Sequence, residues 1–275
     1  MKFKRNERIG AIVKILSDNP NKIFTLSYFT EKFNAAKSTI SEDILVVKNV
    51  FEKLSLGKVI TISGAAGGVK YIPQISKVEN KEFLVELCEN LKDTKRILPG
   101  GFLYLVDILY NPQIAFKVGK VFASCLNYEK ADYVVTMETK GIPIALATAK
   151  AMNLPLVIIR KNARISEGSS MSITYVSGSK NLVQTMTLPR RALEEGSKVV
   201  LIDDFMRGGG TLRGMEALMK EFKAEVIAKG ILISTMEPSR KLIDDYISLL
   251  ELANVDEETG KINVFPNKKV IDLFS

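Results

Sequence analysis

Residues 199–212 constrain the fold more than any other stretch: Val199, Val200, Leu201 and Ile202 run into Asp203 and Asp204, then through Phe205, Met206 and Arg207 into Gly208, Gly209, Gly210 and Thr211. Four consecutive apolar residues without polar alternation read as a strand buried on both faces, as in a parallel sheet covered by helices. Past the turn, Leu212, Met215, Leu218, Met219 and Phe222 recur at helical spacing. The glycines therefore join the carboxyl end of a strand to the start of a helix, which predicts an α/β architecture and an anion site. Three glycines bring backbone amides close to an anion, Thr211 adds a hydroxyl, Arg207 adds positive charge, and the helix dipole favours negative charge.

The two aspartates narrow the ligand. Carboxylates beside a phosphate cradle repel a bare anion and need hydroxyls to accept from. Vicinal ribose hydroxyls facing Asp203 and Asp204, with a 5-phosphate on the glycines, satisfy both halves, so a ribose 5-phosphate derivative is expected. The stretch fits neither GxGxxG nor GxxxxGK[ST], which separates it from dinucleotide and P-loop sites. A flexible linker is the competing reading, but a position between a buried strand and an amphipathic helix argues against it.

Charge separates the chain into two parts. Residues 1–73 carry 12 Lys/Arg against 6 Asp/Glu, whereas residues 74–275 carry 27 against 25. Local basic excess favours a polyanionic partner, because counterion release scales with local charge. Within 1–73, Ile9, Ile12, Val13 and Leu16 mark one helix. Leu26, Phe29 and Phe33 mark a second, capped by Thr25, and Ile40, Ile44, Val47 and Phe51 a third, expected to be capped near Ser38. The alternating run VITIS, the turn Gly64-Ala65-Ala66-Gly67-Gly68 and Val69-Lys70-Tyr71 then predict a hairpin. Three helices followed by a hairpin, with a short second connection, is the order of a winged helix-turn-helix. Lys37, Ser38, Thr39 and Ser41 at the start of the third helix are the candidates for DNA contact, with Lys70 on the wing. A helical protein-interaction module is the alternative.

Histidine is absent, which excludes imidazole bases and ligands. Cys88 and Cys125 lack metal-ligand spacing, so no disulfide framework and no metal site is expected. No window reaches the roughly 20 apolar residues of a membrane span, and the N-terminal residues lack the apolar core of a signal peptide. A cytoplasmic location without membrane association is expected.

Together, the acidic pair and the Gly-Gly-Thr turn resemble the phosphoribosyl pyrophosphate (PRPP) loop of type I phosphoribosyltransferases. Upstream, the strand Tyr133–Met137 runs into Glu138-Thr139-Lys140-Gly141, similar to that family's pyrophosphate loop, and strand Leu156–Ile159 leads into Arg160-Lys161, like the basic pair of the adenine and xanthine enzymes. The resemblance implies that Thr139, Lys140 and Lys161 hold pyrophosphate. Residues 161–188, with the runs MSITYVSG and LVQTMTL around a Ser-Gly-Ser-Lys-Asn turn, read as a mobile loop plus hairpin, at the position of the family's flexible hood. Phe205 and Tyr104 are the aromatic candidates for stacking on a base, core packing being the other reading.

A winged helix (1–73) ahead of a phosphoribosyltransferase-like domain (74–275), with a connecting helix at 81–96, resembles the bacterial purine operon repressor family almost end to end. That resemblance implies a homodimer that binds double-stranded operator DNA, senses PRPP as inducer rather than transferring its ribosyl group, and admits guanine alarmone nucleotides as competitors. It leaves magnesium open. An active purine phosphoribosyltransferase and an RNA-binding attenuator are the alternatives.

Overall fold

The computed structural model describes residues 3–64, 67–164, 166, 168–176 and 183–273. The chain divides into two compact units, Met1–Ser76 with Ala151–Asn153, and Lys77–Lys150 with Leu154–Ser275.

In the first unit, α1 (Arg5–Asp18), α2 (Leu26–Phe33) and α3 (Lys37–Lys53) precede an antiparallel pair, β1 (Lys58–Ile62) and β2 (Gly68–Ile72). Phe24 adds a bridge to Val69, extending the pair into a small three-stranded edge. Ile12, Leu16, Phe29, Phe33, Ile40, Ile44, Val47 and Phe51 form the core together with Val59, Val69 and Tyr71. Ile9, Val13 and Leu26 pack against it as half-buried residues. Thr25 caps α2, its hydroxyl accepting from the Tyr28 amide at 3.2 Å. The third helix departs from expectation, because its cap is Ala36 and no side chain occupies the capping position. The chain leaves α2 through Asn34 in the left-handed region, so helical geometry resumes at Lys37 and Ser38 falls in the first turn. Ala65 and Ala66 of the expected wing tip lie outside the described residues.

The second unit opens with α4 (Lys77–Leu91), which begins and ends earlier than the expected 81–96, because Asp93 caps a separate 3-10 turn at Thr94–Arg96. A ribbon of β3 (Ile97–Leu98) and β4 (Phe102–Leu103), then α5 (Val106–Leu109) and α6 (Pro112–Cys125), lead into the α/β body. Its elements are β5 (Tyr133–Met137), α7 (Ile142–Met152), β6 (Leu156–Ile159), the hairpin β7 (Ser170–Val176) and β8 (Val183–Pro189), β9 (Lys198–Met206), α8 (Gly210–Glu221), β10 (Glu225–Thr235), β11 (Ile247–Asp256), β12 (Lys261–Pro266) and α9 (Lys268–Asp272). The expected Ser-Gly-Ser-Lys-Asn turn of the hairpin lies outside the described residues.

The sheet runs β12-β11-β10-β9-β5-β6, with every adjacent pair parallel except β11–β12. Val135, Val157, Val199, Leu201 and Ile231 on one face meet Leu212, Met215, Leu218, Met219 and Phe222 of α8. Met186 and Leu188 of the hairpin complete that core. From β5 the chain passes to β6 on one side, and later to β9 on the other. A crevice opens at such a reversal, outside the carboxyl ends of the two strands. Among the described residues no helix is long and apolar enough to cross a membrane.

Candidate functional site

Pairing between β5 and β9 stops at Val135↔Leu201, while the strands run on to Met137 and Met206. Both loops singled out in the sequence therefore emerge at the mouth of this crevice. On the β9 side, Gly209 is the cap of α8 with φ of 86°, a conformation that a side chain disfavours. No side chain caps α8, so its first amides remain available to an anion. Asp203, Arg207, Gly208, Gly209, Gly210 and Thr211 line a cavity of about 80 Å³ there, small enough for a single phosphate group to fill.

Asp203 is only 5% exposed. Its Oδ1 accepts the Asp204 amide at 3.1 Å. Burial and the neighbouring Asp204 charge push the Asp203 carboxyl well above its ordinary value. Burial also raises Asp204, and the Lys140 charge partly offsets this. A buried and a half-buried carboxylate held above their usual range suit a partner that donates hydrogen bonds or brings positive charge.

On the β5 side, Thr139 and Lys140 are exposed and Gly141 is buried. A Cβ at Gly141 would lie 2.6 Å from Thr136 Oγ1, too close for any other residue, and at ordinary contact distance, 3.5 Å, from Asp203 Oδ1. Glu138 ties the loop to the end of β6, accepting from the Lys161 amide at 2.8 Å and from Arg160 Nη1 at 3.3 Å. Lys161 thus reaches the pyrophosphate-like loop through its backbone, while its side chain is exposed.

A second cavity of about 400 Å³ is lined by Lys140, Asp204, Phe205 and Arg207, with Phe102, Leu103, Leu105 and the β11 segment from Leu252 to Val255. Phe205 is half-buried in its wall. Tyr104 does not line this cavity and is 44% exposed. Phe102 occupies the wall instead.

The sequence reading missed Tyr175. Its hydroxyl donates to Gln184 Oε1 at 2.7 Å. Burial raises its phenol, while a hydrogen bond from Thr211 lowers it. Through Tyr175 the β7–β8 hairpin thereby meets Thr211 at the start of α8. The signal was the alternation Met171, Ile173, Tyr175, all three of which pack against the α8 core.

In the first unit, Lys37, Ser38 and Ser41 are exposed and Thr39 half-buried at the start of α3. Ser41 Oγ donates back to the Lys37 carbonyl at 2.9 Å, so part of its hydrogen-bonding capacity is already used. Lys70 is half-buried on β2. The uncapped amides of α3 add an anion-accepting end beside Lys37.

Residues 4–73 match the family described as bacterial purine repressor, N-terminal, and residues 106–264 match the phosphoribosyl transferase domain. The chain is 44% identical over 264 residues to the purine biosynthesis transcriptional repressor PurR of Bacillus subtilis, covering 96% of this chain and 93% of that one. It is 38% identical over 262 residues to the purine biosynthesis transcriptional activator PurR of Lactococcus lactis, covering 95% and 97%. The adenine phosphoribosyltransferase of Thermoanaerobacter pseudethanolicus shares the fold of the second unit, with a TM-score of 0.53 and 20% identity over 61% of this chain and 99% of that one. The expected architecture, a helix-turn-helix unit joined to a type I phosphoribosyltransferase fold, holds, and the chain belongs to the bacterial purine repressor family.

Proposed function

We propose that this protein is a DNA-binding transcriptional regulator of purine synthesis genes, and that its second unit binds PRPP as a signal. The observation that carries the reading is the crevice between β5 and β9. There a phosphate-sized cradle, a buried and a half-buried carboxylate and a second, basic loop face one crevice, which suits a ligand bearing phosphate, diol and pyrophosphate. In this reading Gly208–Thr211 with Arg207 take the 5-phosphate, Asp203 and Asp204 accept from the ribose hydroxyls, and Thr139, Lys140 and Lys161 neutralise pyrophosphate. A guanine alarmone nucleotide competes by placing its base beside Phe205 and Phe102. The protein represses as a homodimer, and PRPP releases it from DNA. The site senses PRPP without ribosyl transfer.

Linkage makes the antagonism reciprocal: operator DNA must weaken PRPP binding by the factor by which PRPP weakens operator binding. Equilibrium titrations in both directions at one fixed salt concentration test this. Equal PRPP affinity with and without saturating operator defeats the inducer assignment. Nucleotide and pyrophosphate forming from PRPP and any purine base would make the site an enzyme's.

At the DNA surface, Lys37→Ala is expected to weaken operator and random duplexes by a similar factor and to lower the salt slope by about 1, as for loss of one phosphate contact. Ser38→Ala or Thr39→Ala should instead cost about 1–3 kcal/mol of operator preference if either reads a base edge. Fluorescence anisotropy over a salt series separates the two. A salt slope unaltered in Lys37→Ala removes that residue from the interface.

A further inference from the structure

The phosphate loop is held from behind. Lys241 Nζ donates to the carbonyls of Arg207 at 2.6 Å and Thr235 at 2.7 Å, and to Thr235 Oγ1 at 3.3 Å. Three acceptors use all three ammonium protons. The adjacent Leu242 amide donates to the Gly208 carbonyl at 2.9 Å. The single proton of the Thr235 hydroxyl goes to the Glu237 carbonyl at 2.5 Å, with the Arg207 carbonyl farther off at 3.3 Å.

These bonds fix which way the loop amides point. The Arg207–Gly208 and Gly208–Gly209 peptides are trans, and in a trans peptide the carbonyl and the following N–H point to opposite sides. Anchoring the Arg207 and Gly208 carbonyls on the 241–242 side therefore aims the Gly208 and Gly209 amides the other way. A charged donor on the Arg207 carbonyl also polarises that peptide and strengthens its N–H as a donor. Glycines resist no rotation by themselves, so this loop needs an external anchor to be ready for an anion. We infer that Lys241 is a positioning residue for the phosphate loop, holding the Arg207 carbonyl so that the Gly208 amide faces the ligand's phosphate. It acts through the backbone without touching the ligand. This inference rests on the reading that the loop takes the 5-phosphate of PRPP.

The test uses the full chain, the variant Lys241→Met, which keeps the stem and removes the ammonium, and calorimetric titration with three probes. Ribose 5-phosphate engages the glycine loop and the acidic pair, without the Thr139–Lys140 loop. Pyrophosphate engages the Thr139–Lys140 loop alone, and PRPP engages both. Lys241→Met should weaken ribose 5-phosphate and PRPP roughly tenfold, the loss of a charge-assisted anchor, and leave pyrophosphate unchanged. Thr235→Val, which removes one acceptor and one donor of the same network, should show the same selectivity at roughly threefold, and it carries the test if Lys241→Met melts early. Unchanged ribose 5-phosphate affinity in both variants overturns the inference. So does an equal loss for all three probes, because general softening has no preference among them. Failure of the wild type to bind ribose 5-phosphate or PRPP overturns the underlying reading along with it, whereas wild-type binding with insensitive variants overturns only the role of Lys241.

Discussion

Asp203→Asn is expected to abolish the response to PRPP and, at neutral pH, to raise the melting temperature of the free protein. Both effects follow from the burial of one carboxylate. Losing charge-assisted acceptance from the ribose hydroxyls should cost a few kcal/mol, more than tenfold in dissociation constant, and the variant should repress constitutively because PRPP no longer releases it. Stability runs the other way. Burial and the Asp204 charge raise the folded carboxyl above its ordinary 3.8, so the folded state holds this proton more tightly than the unfolded chain. The contribution to stability is fully present below 3.8 and is lost as pH rises through the raised folded value. At neutral pH the unfolded carboxyl is ionised, so on folding the wild type must bury that charge or take up a proton, and either disfavours the folded state. The amide keeps Oδ1 as acceptor for the Asp204 amide without that charge. For a chain of this size each kcal/mol of relief corresponds to about 2–4 °C. Calorimetric melting between pH 4 and 8, with operator release by PRPP measured on the same samples, reads both effects. PRPP release at wild-type concentration would remove Asp203 from the ligand, and a lower melting temperature across the range would refute the burial argument.

This opposition of stability and binding explains why the site was the most legible part of the sequence. A core strand does not end in two adjacent carboxylates and three glycines for packing reasons, so the departure from local rules marks a candidate ligand site. The winged helix was legible for the opposite reason. Ile12, Leu16, Ile40, Ile44, Val47 and Phe51 follow the 3.6-residue period, and all are buried.

What periodicity could not supply was which segments meet across the fold. Lys241 lies 34 residues from Arg207 along the chain and reads locally as one more surface lysine, yet three hydrogen bonds hold it. Phe102 and Tyr104 lie two residues apart, yet only Phe102 of the two lines the cavity. Ser38 was favoured as a cap by its residue type, whereas the left-handed Asn34 set the cap two residues sooner, at Ala36. In each case a backbone path, invisible to composition, chose between chemically equivalent residues.

Asp43→Ala should unfold much of the first unit at 37 °C and remove operator binding, although Asp43 lies on the inner side of α3 and touches no surface. Its carboxylate is 1% exposed and accepts from Arg8 Nε at 2.7 Å, with Arg5 Nε at 3.4 Å. Arg8 is itself 9% exposed and also donates to the Phe3 carbonyl at 3.0 Å. Truncating the acid leaves that guanidinium buried without its counter-charge, a loss of about 3–5 kcal/mol. A small unit with a total stability on the order of 5–10 kcal/mol has little margin to absorb it. The exposed pair Lys14–Asp18, 2.9 Å apart one turn along α1, provides the contrast, since Asp18→Ala should cost at most about 0.5 kcal/mol. The double variant Arg8→Met/Asp43→Leu removes both charges together and should recover much of the stability, because an apolar replacement of a buried pair is often neutral. Thermal unfolding by circular dichroism, with operator and PRPP binding followed on the same proteins, distinguishes the outcomes. Loss of operator binding with PRPP binding retained is expected of Asp43→Ala, as the second unit has its own core. Similar melting shifts for Asp43→Ala and Asp18→Ala would mean that the buried pair contributes no more than a solvated one, and that apolar packing around Phe29 and Ile40 alone holds α1 to α3.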